Sequence, residues 1–70
     1  MKLEIFVTAT TPVTSIAHDF PAGDHDTLLS ADEKNGVVTF QIGGDVLPDY
    51  QVFWIEQQKS LGKIERVETA

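Results

Sequence analysis

Asn35-Gly36 is the strongest constraint on the fold, because it sits between two runs that alternate apolar and polar residues. Asn-Gly favours a tight hairpin turn, and its type I′ form needs positive φ at both positions. A two-residue loop pairs Glu33 with Val38, Ala31 with Phe40 and Leu29 with Ile42. Leu29, Ala31, Val38, Phe40 and Ile42 then share one face. Ser30, Asp32, Thr39 and Gln41 share the other. A four-residue loop, Glu33–Gly36, preserves this parity, so both registers stand. A three-residue loop would set Ala31 opposite Thr39 and scramble the faces. The chain is therefore expected to build an antiparallel sheet with one apolar face.

A second strand is read at Lys2–Ala9, with Leu3, Ile5, Val7 and Ala9 on one side and Lys2, Glu4, Phe6 and Thr8 on the other. Pro12 ends it, since proline donates nothing to a ladder. Val13–Phe20 reads either way. A helix with Thr11 as N-cap and Pro12 first would align Val13, Ile16, Ala17 and Phe20. A strand suits the β-branched content, and a short Thr-Pro turn to the first strand favours it. Phe20–Asp24 is a loop by its turn residues.

Tyr50–Leu61 is also double-valued. As a helix it aligns Tyr50, Phe53, Trp54 and Leu61, with Asp49 at the positive end, Lys59 and Lys63 at the negative end and Gly62 as a left-handed stop. That helix leaves Val52 and Ile55 on the opposite side, exposed. As a strand, Tyr50–Ile55 would be apolar on both faces. The helix is preferred. Lys63–Glu68 reads as a short last strand with Ile64 inward, and Trp54 as a core residue.

These elements predict one small α+β domain spanning residues 1–70: an antiparallel sheet of three to five strands with one C-terminal helix. An all-β meander or barrel is the alternative. With 70 residues and no cysteine, the chain lacks disulfide staples, thiolate ligands and a cysteine nucleophile. Such a domain buries only about 60% of its unfolded surface, which leaves little scaffold for a water-excluding catalytic site. The missing cysteines favour a cytoplasmic location. No stretch reads as a signal peptide or a bilayer span.

The net charge is −6. From Leu3 to Gln58 there are nine acids and a single base, Lys34. The body is expected to present an acidic surface, which disfavours direct nucleic-acid binding and anionic membranes. The charge allows a protein partner with a basic surface, and solubility alone is the simpler reading of it. Asp24, Asp26, Asp32 and Glu33 flank a loop and a turn tip, so they are the expected contacts, with Val52 and Ile55 as an apolar contact pair.

His18, Asp19, Asp24, His25 and Asp26 have the donor types for a divalent metal, but their spacing matches no ligand motif. The simpler reading is a polar turn in which Asp24 and Asp26 satisfy backbone groups. Gly43-Gly44 lacks the rest of a phosphate loop, and no Gly-x-Ser-x-Gly elbow supports Ser15 or Ser30 as a nucleophile.

The expected function is thus non-catalytic, with no cofactor. It is an accessory protein that binds another protein and can block a basic, nucleic-acid-facing surface. In type it is similar to the small inhibitor proteins of phages and mobile elements, with no residue motif behind that likeness. A homo-oligomeric assembly component is the alternative, and a metal-dependent enzyme using the His/Asp loop is the third reading.

Overall fold

The computed structural model describes residues 1–70. In chain order the elements are β1 (Lys2–Val7), α1 (Val13–Asp19), β2 (Thr27–Asp32), β3 (Val37–Gln41), α2 (Asp49–Ser60) and β4 (Ile64–Thr69). They form one four-stranded antiparallel sheet in the order β2-β3-β1-β4. This is the split β-α-β arrangement, two interleaved β-α-β units. The fold is α+β with two helices, where the sequence reading had one.

β1 alternates as expected. Leu3 and Ile5 are buried and stand opposite Phe40 and Val38 of β3. Both helices cover that face. The core joins Leu3, Ile5, Val38, Phe40, Ile42 and Ile64 to Val13, Ile16 and Phe20 near or on α1 and Ile55 on α2. The Phe20 ring lies 4.4 Å from Phe40, and Trp54 meets it edge-on at 5.5 Å. Such pairs add about 0.5–1.5 kcal/mol beyond the area they bury. On the uncovered face, Arg66 stacks 3.9 Å above the Phe6 ring.

The strand preferred for Val13–Phe20 is overturned. β1 is already paired on both sides, by β3 and β4. The segment has no edge of β1 to join, and its apolar residues reach the core only from a helix. Val13, Ile16 and Phe20 are buried, and Ala17 is half-buried, which is the helical stripe. The helix begins at Val13, with Pro12 extended before it.

The hairpin uses the four-residue loop: Asp32 pairs with Val37, Ala31 with Val38 and Ser30 with Thr39. Type I′ geometry is absent, since Gly36 alone of the pair has positive φ, at 66°. The Asp32 carboxylate accepts the Asn35 backbone N–H at 3.1 Å and the Asn35 side-chain amide at 2.7 Å, bonds that span the four-residue loop with Asn35 at negative φ. A bulge between Leu28 and Ser30 then shifts the register, so Leu28 rather than Leu29 stands opposite Phe40. Val38, Phe40 and Ile42 are buried as expected, but Leu29, at the bulge, and Ala31 are exposed on this edge strand.

Asp49–Ser60 is helical and stops at Gly62, whose φ is 74°. Its buried side is only partly the expected one: Trp54 is half-buried and packs against the core as expected, but the rest of that stripe does not. Gln51 and Ile55 face the core, while Tyr50, Phe53 and Leu61 are exposed. Ile55 is 3% exposed and so is not an apolar contact residue; only Val52, at 41%, remains on the surface. No helix is long and apolar enough to cross a membrane.

Candidate interaction surface

Antiparallel topology sorts the charges to two ends of the molecule. β2 begins, and β3 ends, at one end, where Thr27 and Lys2 flank Gln41. The α1–β2 loop and the β3–α2 loop meet there, with the C-terminus of α1 and the first turn of α2 beside them. That end carries Asp19, Asp24, Asp26, Asp45 and Asp49. Of the five Lys and Arg residues, only Lys2 is there, together with the amino terminus, which is bonded to the carbonyls of Ile42 and Gly44. Lys34, Lys59 and Lys63 lie at the opposite end with Glu33 and Glu65.

Asp26 holds the two loops together. Its Oδ2 accepts the Gly23 N–H at 2.7 Å and the Gln51 Nε2 at 2.7 Å, and its Oδ1 accepts the Gly43 N–H at 2.9 Å. One carboxylate thus links the start of β2, the end of β3 and the first turn of α2. The Gly23 N–H first, then the Gly43 N–H, hold the Asp26 carboxyl below the usual carboxylate range, with the Gln51 amide adding to them. Gln51 is fully buried and also donates to the Pro21 carbonyl at 3.0 Å; its Oε1 has no protein donor. Gly43 is needed for the close approach of the loops, since a Cβ there would lie 2.5 Å from the His25 Cβ.

A shallow depression lies over this junction, between Asp24, His25, Gly43, Val46, Pro48 and Tyr50. Val46 is 77% exposed and Tyr50 53%. Large apolar groups at a charged rim are the combination found at protein contact sites.

The expected contact acids therefore divide. Asp24 is exposed and its carboxylate is free for a partner. Asp26 lends charge to this end, but its oxygens are spent within the fold. Asp32 and Glu33 lie at the far end of β2, and Asp32 is engaged by Asn35, whose side-chain amide and then backbone N–H hold its carboxyl below the usual range. Asp45, Val46 and Tyr50 escaped the sequence reading. The Asp26 bonds and the packing of Gly43 against His25 bring their loop beside Asp24.

The His/Asp loop does not gather into a ligand set: no three His, Asp or Glu side chains converge. His18 Nδ1 lies 2.9 Å from Asp19 Oδ1 at the surface. A second depression, at the opposite end, is lined by the Thr8–Pro12 loop, the hairpin tip and Glu65. There the Thr8 hydroxyl bonds Thr11 Oγ1 and donates to the Gly62 carbonyl. Comparison with protein-family models, with curated proteins and with solved structures found no match.

Proposed function

We propose that this chain is a non-catalytic protein-binding module whose acidic end docks on a basic surface of another protein. The carrying observation is that Asp26 fastens two loops, far apart in sequence, into one rigid end that shows free carboxylates beside exposed Val46 and Tyr50. Each part has a physical role. Asp19, Asp24, Asp45 and Asp49 raise the encounter rate by long-range attraction. Tyr50 and Val46 supply contact area that excludes water around the charges. The Asp26 bonds fix the loops before binding, so little conformational entropy is lost on docking. Carboxylates on a small folded frame can compete with phosphates for a basic surface, which is the ground for a role in blocking a nucleic-acid-facing site in the cytoplasm.

The test is stopped-flow association with the protein recovered by cross-linking from the source cell. The on-rate should fall steeply with salt, as the Debye length shrinks from about 10 Å at 0.1 M to about 3 Å at 1 M. Asp24→Lys with Asp45→Lys should slow association at least tenfold and leave thermal stability unchanged. Glu65→Lys, on β4 at the other end, should do little. A salt-independent on-rate, or equal effects at both ends, refutes the reading.

A further inference from the structure

The two edges of the sheet are treated differently. β4 carries Glu65, Arg66 and Glu68, and Arg66 bonds both glutamates, at 3.1 and 3.0 Å. Charged side chains of this kind keep an edge from pairing. β2 has no charge and no proline between Thr27 and Ala31, and all five of those residues are exposed, including Leu28 at 47% and Leu29 at 50%. The bulge at Leu29 is its only guard, and it leaves Ser30–Asp32 in regular register.

We infer that the outer edge of β2 receives an extended segment of the basic partner as a fifth strand. This inference rests on the docking reading above. An added strand gains main-chain hydrogen bonds along the edge, and alternate side chains pack on Leu28 and Leu29. Charge identifies the occupant. Asp24 and Asp26 precede the strand, Asp32 ends it and Glu33 follows it, with Asp24 and Glu33 free of hydrogen bonds within the fold, so both ends are acidic. The guest therefore has Lys or Arg at its ends and β-branched or apolar residues between them. A second copy of this chain is a poor guest. Antiparallel self-pairing sets the Asp26 end of one copy against the Asp32–Glu33 end of the other, and like charges placed opposite each other destabilise a pair.

The experiment is amide hydrogen exchange on the full chain, followed by NMR, with three synthetic peptides. The first alternates valine and threonine between paired lysines. The second has every central amide nitrogen methylated. The third carries glutamates in place of the lysines. The lysine peptide should slow exchange of β2 amides at least tenfold, and the other two should not. Equal binding of the methylated peptide refutes strand addition but leaves the acidic-end reading standing, because charge alone then suffices. No protection at millimolar lysine peptide also refutes it. Equal protection by the glutamate peptide refutes the basic occupant. Protection that rises with protein concentration in the absence of peptide, with a dimer in sedimentation, makes the occupant a second copy and overturns the inference.

Discussion

Asp26→Ala should destabilise this protein more than any other single change to a surface acid. The carboxylate accepts three hydrogen bonds, at 2.7, 2.9 and 2.7 Å. Hydrogen bonds to a charged group contribute about 1.5–3 kcal/mol each. The Gly43 bond lies at the surface, where water replaces it at low cost, so the Gly23 and Gln51 bonds carry most of the effect. Their loss comes to roughly 3 kcal/mol at the low end of that range. It also strands a buried Gln51 amide with one fewer acceptor. Domains of this size are stable by roughly 0.05–0.15 kcal/mol per residue, or about 4–10 kcal/mol in all. The variant should melt about 12–24 °C lower, at about 4–8 °C per kcal/mol. Thermal and urea unfolding followed by circular dichroism measure this, with Asp24→Ala as the control, expected within about 0.5 kcal/mol of the parent.

The pH dependence has a definite sign. The Asp26 carboxyl is lowered in the fold from its ordinary value of 3.8. The unfolded chain therefore binds the proton more readily, and the stabilisation is present above that value. It is lost as pH falls from about 3.8 toward the folded value. Asp26→Ala should remove this part of the acid-unfolding limb. If Asp26→Ala and Asp24→Ala melt together, Asp26 is an ordinary surface acid and the argument for a fastened acidic end fails.

Three further outcomes follow from the same geometry. Gln51→Glu should place a carboxylate against Asp26 and destabilise at pH 7, with part of the loss recovered as pH falls and one of the two acids is protonated; melting from pH 7 to 4 checks this. Gly43→Ala should cost about 1–3 kcal/mol through the clash with His25, whereas Gly44→Ala, whose Cβ would have its nearest neighbour at 3.6 Å, should be tolerated in urea unfolding. Ile55→Asp should prevent folding, because it buries a charge in the core, while Val52→Asp should give a native circular dichroism spectrum.

Much of the fold was legible because its signals are local. Alternation in Lys2–Val7 defines the same two faces in the sheet, and Gly62 stops α2 in the left-handed conformation expected of it. Ile64 points inward from β4 as its sequence suggested. The errors arose where the local pattern was ambivalent. Val13–Phe20 suits a helix or a strand equally, and α2 has apolar residues on both sides, so neither stripe announces itself. The acidic end was half legible: Asp24 stood out, but Asp45 and Tyr50 did not, since nothing between residues 24 and 45 shows that their loops touch.

The amino-acid sequence by itself determined β1, β4, the position of the hairpin turn, the helix stop and the excess of negative charge. These depend on side-chain alternation, turn chemistry and composition, which act over a few residues. Tertiary structure alone decided which side of α2 is buried, that β1 lies between β3 and β4, that Asp26 turns inward and that Asp24 and Asp45 share one end. The physical reason is that burial is a property of what packs opposite. Ile55 goes inside and Phe53 outside because the sheet and α1 leave room on one side of the helix, and no residue within that helix carries this information.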